Sequence, residues 1–577
     1  MKVILAKTAG FCMGVRRAME IVMAEANKKE GPLFTFGPLI HNRQVLNILE
    51  AKGVKATDDV RELRSGRIII RAHGIPPRKR ELLEGTGLKV IDATCPKVTR
   101  VQQIIRHYSN KGHSAIIVGD QNHAEVIGLM GYSKSPAHVI QEEADVAGLP
   151  PVDRPFVVAQ TTQNQEKFNE IVDALKRRFP DLLVFETICD ATQERQQEVR
   201  TFKGQVDAVV VVGGYHSANT QRLARISEEE SLPTFHVETE QDLDKDKLSR
   251  MSVVGLTAGA STPHWMIRNV LQEIEAIRDR QETFLTRWVK QVFRFMVLSN
   301  LLVASGAFSL AYAAAIMEGR DPVSPFPVLA FLYIFAMHVF NRFLDKGASA
   351  YNEPDRTAFL KTHKVLLNIT GMTALAMALA LSYRVGVITF LALTGLSALG
   401  IVYSVPLIPE RIRDRYRYSK IKDIPGSRSL SEALAWVAVI SLLPVLETRG
   451  VDVPAAVMTG LVVFTWSYAR AIFFSLLQVQ GDLMVGTETL PIILGERRTL
   501  VLLRIVFLIT AFVLLVSPAL GIAGMFCYII LIPLFTLWLS LMAYERQWLC
   551  PGITLEALVE INFLLTGLLA LVWQSWR

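Results

Sequence analysis

Residues 1–22 read MKVILAKTAGFCMGVRRAMEIV, an apolar run that ends at a cysteine and leads into a helix-forming segment. The same order returns in LKVIDATCPKVTRVQQII at 88–105 and in LLVFETICDATQERQQEV at 182–199. Because Cys12, Cys95 and Cys189 occupy the same place in each copy, they mark an internal repeat with a period of roughly 90 residues.

Each copy continues with two more strand-like runs that end in small and polar residues. The second runs are FTFGPLIHNRQVLNIL, SAIIVGDQNHAEVIGLM and DAVVVVGGYHSANTQRLA, and the third are IIIRAHGIPPRKRELL, FVVAQTTQNQEKFNEIV and VVGLTAGASTPHWMIRNVL. Strands that alternate with helices predict right-handed βαβ units around parallel sheets. We therefore expect an α/β domain over residues 1–280, built of three pseudo-repeated βαβ modules around a central site.

Polar side chains follow these strands at equivalent places. Ligands of parallel sheets bind outside the carboxyl ends of the strands, so we expect the side chains to converge on one cavity. They are His41, His73, His123, Thr161, Thr162, Ser217, Asn219 and Ser261. Histidines beside hydroxyl and amide donors indicate a cage for a diphosphate. Glu125 is the carboxylate of this set and is predicted to donate a proton, with a solvated glutamate at a helix start as the alternative.

Three thiols from three modules indicate a metal centre. The chain has five cysteines, an odd number that argues against disulfides in a reducing compartment. Three thiolates suit an iron–sulfur cluster in which one iron lacks a protein ligand. Inert buried cysteines and zinc are the alternatives, although the paired CxxC spacing of structural zinc sites is missing.

A family resemblance rests on nine segments. They are GFCMGVRRA, GPLIHNRQV, RAHGI, DATCPKV, HAEVIGLMG, QTT, ICDAT, SANTQRL and TAGAS, spread over nearly all of residues 1–278. Together they resemble the 4-hydroxy-3-methylbut-2-enyl diphosphate reductases of the methylerythritol phosphate route. The resemblance implies reductive removal of the substrate's hydroxyl as water, which gives isopentenyl and dimethylallyl diphosphates.

The same resemblance assigns roles to single residues. It implies a 4Fe-4S cluster on Cys12, Cys95 and Cys189, and proton delivery by Glu125. The diphosphate would be held by His41, His73, His123, Thr161, Ser217, Asn219 and Ser261. The sequence differs from the usual family pattern at one segment. The family usually has Asn-Ser-Ser-Asn where this chain has His216-Ser217-Ala218-Asn219, so Ala218 removes one hydroxyl donor.

The second half of the chain reads as a membrane domain. Nine apolar stretches of spanning length are predicted near 291–316, 326–345, 364–383, 385–404, 430–446, 454–475, 499–517, 521–543 and 554–574. Residues 281–290 are predicted to be an interfacial linker, which leaves 291–577 as an all-α polytopic domain of about nine helices. Lys and Arg concentrate at 342–364 and 411–428, which places these loops and the N-terminal domain in the cytoplasm.

Two polar segments of this half resemble the acidic motifs of the UbiA-like intramembrane prenyltransferases. They are NRFLDKGASAYNEPDR and QVQGDLMVGTETLPIILG. The resemblance implies a magnesium–diphosphate site, with Asn341, Asp345, Asp355 and Asp482 as candidate residues. Three of the family's usual carboxylates are replaced by Arg342, Ser349 and Gln478, and magnesium prefers several hard oxygen ligands. The sequence therefore puts the two-metal mechanism in doubt.

The favoured hypothesis is a membrane-tethered reductase at the cytoplasmic membrane. Its expected partners are an allylic diphosphate, an electron donor such as ferredoxin or flavodoxin, and membrane lipid. A non-catalytic iron–sulfur sensor with a membrane anchor, or a membrane prenyltransferase as the main activity, are the alternatives. The formal net charge of +8 is explained by loops between apolar segments, so nucleic-acid binding is not expected.

Overall fold

A computed structural model describes residues 1–28, 30–61, 63, 65–279, 283–344, 352–404, 421–448, 450, 452–485, 487–546, 548–549 and 551–576. The chain forms two compact units, Met1–Glu282 and Thr283–Arg577. Each unit is described by itself below.

The first unit is an α/β domain with three four-stranded parallel sheets, which confirms the predicted fold class. Its strands are β1 Lys2–Leu5, β2 Leu33–Phe36, β3 Val54–Thr57, β4 Arg67–Ile70, β5 Lys89–Asp92, β6 Ser114–Val118, β7 His138–Ile140, β8 Pro155–Ala159, β9 Leu183–Val184, β10 Ala208–Val212, β11 Thr234–Val237 and β12 Val253–Ala258. Its helices are α1 Met13–Asn27, α2 Arg43–Ala51, α3 Pro77–Glu84, α4 Pro96–Asn110, α5 Ala124–Met130, α6 Gln165–Arg178, α7 Asp190–Thr201, α8 Ala218–Glu229, α9 Lys245–Leu248 and α10 His264–Asp279.

The three sheets share one strand order. They run β3-β2-β4-β5, β7-β6-β8-β9 and β11-β10-β12-β1. The inner strands β8 and β10 are buried along their whole length, as expected for parallel sheets that are covered on both faces.

The sheets are grouped differently from the sequence repeat. The strands that precede the cysteines, β1, β5 and β9, each lie at the edge of a sheet. They pair with β12, β4 and β8, and each of these partners is the third strand-like run of the preceding copy of the repeat, with the third copy preceding the first. The first strand of the chain therefore closes the third sheet, with Lys2 opposite Val253. The edge strands β3, β7 and β11 were not predicted from the sequence. They are at most four residues long and only partly buried, so their apolar pattern is weak.

The second unit is all-α over the residues that the structure describes. Its helices are α11 Phe284–Leu298, α12 Leu301–Met317, α13 Phe326–Leu344, α14 Pro354–Thr362, α15 Lys364–Val385, α16 Val387–Ser404, α17 Ser427–Glu447 with a π-helical turn at Ala438–Leu442, α18 Val453–Leu477, α19 Val479–Val485, α20 Leu490–Leu494, α21 Glu496–Ala519, α22 Phe526–Glu545 and α23 Ile553–Ser575.

Each of the nine predicted apolar stretches contains a described helix, but fewer of these helices qualify as membrane spans. Seven described helices are long and apolar enough to cross a membrane, and the bent pair α11–α12 would make eight. The shorter apolar helix Val387–Tyr403 does not reach that length. Among the described residues, seven or eight helices therefore meet the length of a membrane span, against the nine that were predicted.

The first predicted span is broken near its start. Helices α11 and α12 meet at 69°, and Asn300 between them has a left-handed φ of 67°. Helix α11 begins at Phe284, inside the predicted linker 281–290, and its Phe284 and Trp288 are 81% and 53% exposed. An exposed aromatic face of this kind is typical of a helix that lies in the membrane interface.

Candidate functional site

The three cysteines occupy equivalent positions at the starts of helices. Cys12, Cys95 and Cys189 immediately precede α1, α4 and α7, with extended backbones at φ of −73°, −60° and −71°. Their backbone N–H groups donate to the carbonyls of Ala260, Ala72 and Thr161 at 3.2, 2.9 and 2.9 Å. These carbonyl groups lie two residues after the ends of β12, β4 and β8, which are the strands that pair with β1, β5 and β9. This repeated hydrogen bond turns every cysteine toward the same centre.

One cavity of about 780 Å³ joins the predicted residues. It is lined by Cys12, Cys95, Cys189, His41, His73, His123, Glu125, Thr161, Thr162, Ser217, Asn219 and Ser261. The sequence analysis missed two charged lining residues, Lys97 and Arg195. Lys97 lies in the first turn of α4 and Arg195 in the second turn of α7, and this closeness to a cysteine is the only sequence signal that would have identified them.

The surroundings of the thiols fit a metal cluster. A Cβ atom placed on Gly14 would lie 2.5 Å from Cys95 Sγ and 3.9 Å from Cys12 Sγ, so glycine leaves the space that the sulfurs occupy. Burial raises the pKa of the Cys95 thiol, while the backbone N–H groups of Lys97 and Val98 lower it. Burial likewise raises the pKa of Cys189. Metal coordination is the usual way to hold such buried thiols as thiolates.

The three histidines form one cluster. The ring centroids of His41 and His73 are 4.8 Å apart, those of His73 and His123 are 5.3 Å apart, and those of His41 and His123 are 5.7 Å apart. Burial lowers the pKa of all three rings, and that of His123 to about 4. The rings are therefore neutral near pH 7.

Several polar atoms of the cavity are buried without a protein partner. They are His41 Nε2, His73 Nδ1 and both side-chain polar atoms of Asn219. His123 differs, because its Nδ1 accepts the backbone N–H of Glu125 at 3.1 Å, which leaves the proton on Nε2. Since buried polar groups are normally paired, these atoms indicate a polar ligand in the cavity.

Glu125 is held at the wall of this cavity. It is 1% exposed, and its carboxylate accepts the Thr161 backbone N–H at 2.7 Å and the Thr161 hydroxyl at 3.0 Å. Burial raises the pKa of Glu125, while the Thr161 hydrogen bonds and the charge of Arg222 lower it. Arg222 is itself fixed by Asp120 at 2.7 Å and by the Thr162 carbonyl at 2.8 Å. A carboxyl group with a raised pKa can carry a proton near neutral pH.

The hydroxyl residues are placed by local structure. Ser217 caps α8, with its Oγ accepting from the Thr220 N–H at 3.4 Å, and Ser261 Oγ donates to the His41 carbonyl at 3.2 Å. Ala218 begins α8 beside them, where it supplies no hydroxyl. His216 lies close enough to His41 to contribute to the lowering of its pKa.

The second unit has a polar core. Glu353 Oε2 accepts from Arg342 at 2.9 Å and from Arg356 at 2.7 Å, and Gln478 donates to Glu353 Oε1 at 2.5 Å. Arg356 also pairs with Glu556 at 2.9 Å. These residues form an outer polar layer that links α13, α14, α18 and α23.

A second layer lies one helical turn away. Arg470 Nε donates to Glu560 at 2.9 Å, and Arg470 also pairs with Glu432. His338 lies 3.8 Å from Glu432. His338 and Arg342 are four residues apart on α13, as Glu556 and Glu560 are on α23, so the two layers stack along the same helix faces. None of the residues of this second layer, the inner polar layer, was predicted from the sequence.

Two of the predicted magnesium residues pair with other side chains, and one of these pairs joins the two predicted motifs. Asp355 accepts from Arg294 at 2.8 Å, and Asp482 accepts from Asn352 at 3.0 Å. Asn341 is near the end of α13, while Asp345 and Ser349 lie outside the described residues, as do residues 411–420 of the predicted basic segment 411–428. In the described part of the chain, the only three His, Cys, Asp or Glu residues whose ligand atoms all lie within 4.8 Å of one another, as a single ion would require, are His41, His73 and His123. The described residues of the second unit therefore do not fit a magnesium site.

Residues 3–275 match the family model described as LytB protein. The 4-hydroxy-3-methylbut-2-enyl diphosphate reductase of Geotalea daltonii is 45% identical over 277 residues, which cover 98% of that protein and 48% of this chain. The reductase of Geobacter sulfurreducens is 41% identical over 282 residues and is covered completely, over 49% of this chain. This chain belongs to the LytB family.

The LytB region is followed by a second family domain. Residues 301–549 match the UbiA prenyltransferase family, so the chain is a LytB–UbiA fusion and a multi-pass membrane protein. Among solved structures, an (E)-4-hydroxy-3-methyl-but-2-enyl diphosphate reductase is 39% identical, with 48% of this chain and all of that chain covered at a TM-score of 0.39. A UbiA homolog from Archaeoglobus fulgidus bound to GPP and Mg²⁺ is 16% identical, with 48% and 99% covered at a TM-score of 0.35.

Proposed function

We propose that the LytB unit reduces 4-hydroxy-3-methylbut-2-enyl diphosphate to isopentenyl and dimethylallyl diphosphates. The observation that carries the proposal is that three cysteines, three neutral histidines and a buried glutamate line one cavity. A 4Fe-4S cluster held by Cys12, Cys95 and Cys189 would supply electrons and an open iron for the substrate's hydroxyl. The reaction consumes two electrons and two protons and releases one water.

The protein's own residues bind the anion and move the proton. Neutral His41, His73 and His123 can donate N–H groups to a diphosphate, and Asn219 offers its buried amide. Ser217 and Ser261 stand where their hydroxyls can add to this cage. Burial raises the pKa of Glu125, which favours its protonated form, and Thr161 orients the carboxyl group through two hydrogen bonds. Protonation by Glu125 would turn the leaving hydroxyl into water.

The test is an anaerobic assay of the full-length protein in detergent. Dithionite-linked reduction of the hydroxy-diphosphate should be observed, with about four irons bound per chain as expected for the proposed cluster. The variant Glu125→Gln is the matched control because it preserves the shape of the side chain. An iron-loaded wild-type protein without turnover would contradict the reductase and favour the non-catalytic sensor.

We infer that the LytB unit faces the cytoplasm and takes electrons from a soluble carrier such as ferredoxin or flavodoxin. The concentration of Lys and Arg at 342–364 and 411–428 in the sequence supports the orientation, and the carrier follows from the two electrons that the proposed reaction consumes. A cysteine introduced at Arg415 should resist an impermeant thiol reagent in intact cells and react after lysis. Labelling in intact cells would show that the loop with Arg415 lies outside the cell and would contradict the inferred orientation.

We infer that the UbiA domain binds a prenyl diphosphate or a related anionic lipid without magnesium and transfers prenyl groups slowly or not at all. The support is the outer polar layer, in which Arg342 and Arg356 stand beside Glu353 where a metal site would need free carboxylates. Membranes with radiolabelled geranylgeranyl diphosphate and candidate acceptors provide the test. Strong magnesium-dependent product formation that disappears in Asp482→Asn would show a true prenyltransferase.

A further inference from the structure

Arg195 is a buried cation beside the cysteine-bearing loops. It lies on α7, is 4% exposed and lines the cavity. Its Nη2 donates to the Gly10 carbonyl at 2.7 Å and its Nη1 to the Ala191 carbonyl at 3.0 Å. These carbonyls stand two residues before Cys12 and two residues after Cys189. One guanidinium therefore links the two cysteine segments that are farthest apart in the sequence.

One further N–H group of this guanidinium, the one on Nε, has no acceptor in the described part of the protein. Arg195 Nε is buried without a hydrogen-bond partner. A buried donor that has lost its water normally finds another acceptor, and sulfur atoms of a cluster would provide one.

The other charged residues of the cavity wall are committed elsewhere. Lys97 pairs with Asp190 at 2.6 Å, where the Asp190 side chain is 73% exposed. Glu125 is held by Thr161 in the neighbouring module. Arg195 is thus the cation that remains buried next to the thiols, and an arginine stays charged at any working pH.

We propose that Arg195 sets the reduction potential of the iron–sulfur cluster by stabilising its reduced, more negative state. The proposal rests on the cluster of the proposed function. Adding an electron to a cluster increases its negative charge, and a fixed cation in a site of low dielectric favours that charge. Hydrogen bonds to cluster sulfurs and nearby charge are recognised means by which proteins tune such potentials.

The test is a potentiometric titration of the full-length protein, followed by EPR, with iron content and thermal stability measured in parallel. Arg195→Gln should destabilise the reduced state about tenfold, which lowers the one-electron midpoint potential by about 59 mV. Arg195→Lys keeps the charge and should stay close to the wild-type potential. Arg17→Gln is the matched control, because Arg17 donates to the Thr94 carbonyl next to Cys95 at 3.0 Å from a half-buried position. The midpoint potential of the Arg17→Gln protein should equal that of the wild type.

Each outcome of the titration supports or contradicts the role of Arg195. An iron-loaded Arg195→Gln protein with the wild-type potential would overturn the proposal, even if its thermal stability falls. If Arg195→Gln fails to load iron, Arg195→Lys provides the test. A lysine variant that binds iron and has the wild-type potential supports the role of the positive charge. A lysine variant that does not bind iron shows that Arg195 serves only to link the Cys12 and Cys189 segments. A wild-type protein without a cluster would instead refute the proposed function itself.

Discussion

Gly14→Ala tests whether the thiols are packed as closely as the structure indicates. The added Cβ would lie 2.5 Å from Cys95 Sγ, where ordinary contacts between non-bonded heavy atoms are 3.5–4.0 Å. The sulfur or helix α1 must therefore move by about 1 Å. Metal sites tolerate deviations of only about 0.2 Å in ligand distance. We expect the variant to lose most of its bound iron.

The fold should survive this change. Gly14 lies within α1, where alanine is favoured over glycine by up to about 1 kcal/mol, while overpacking a core costs about 1–3 kcal/mol. The two effects oppose each other, so the net loss of unfolding free energy should stay below about 3 kcal/mol. Iron and sulfide analysis measures the cluster, and thermal unfolding measures the fold. Gly148→Ala is the control, because a Cβ there meets no atom within 4 Å. Full iron content in Gly14→Ala would refute the reasoning.

Three further predictions concern the carboxylate, the histidines and the membrane core. Glu125→Gln should keep its iron but lose about 10²–10⁴-fold in kcat, because an amide cannot donate the proton; turnover near the wild-type rate would place the proton donor elsewhere. Because the pKa of His123 falls from 6.5 to about 4 on folding, its contribution to stability is complete above pH 6.5 and is lost as the pH drops toward 4. The slope of thermal stability over this range should be smaller in His123→Asn. Arg356→Gln removes an arginine that pairs with the two buried glutamates Glu353 and Glu556, and should cost about 3–5 kcal/mol, whereas Arg504→Gln, whose arginine is 53% exposed, should cost at most about 1 kcal/mol; equal shifts in thermal unfolding in detergent would contradict this.

The convergence of the site was predictable from local sequence. A strand followed by glycine and a polar residue is visible without a structure, and the rule for parallel sheets brings such strand ends together. His73 and Ser261, nearly 190 residues apart in the sequence, consequently line one cavity as expected.

Interactions that depend on distances between modules were not predictable. Gly14 reads as an ordinary glycine after a cysteine until Cys95 Sγ is found next to it. Arg195 reads as one of several charges on a polar helix, and only its burial and its bond to the Gly10 carbonyl separate it from its neighbours. The pairing of β1 with β12 is equally non-local, since a repeat in sequence does not say which copy of a strand closes which sheet.

The membrane core shows the same limit in its charges. The two polar layers hold three arginines, Arg342, Arg356 and Arg470, and four glutamates, Glu353, Glu432, Glu556 and Glu560. Apolar residues of similar volume would often pack a helical bundle as well as buried ion pairs do, so stability alone does not explain seven charges here. Intramembrane charges usually mark a binding or transport path. An anionic headgroup that enters the outer layer would compete with Glu353 for Arg342 and Arg356, which supplies without magnesium the positive charge that a diphosphate needs.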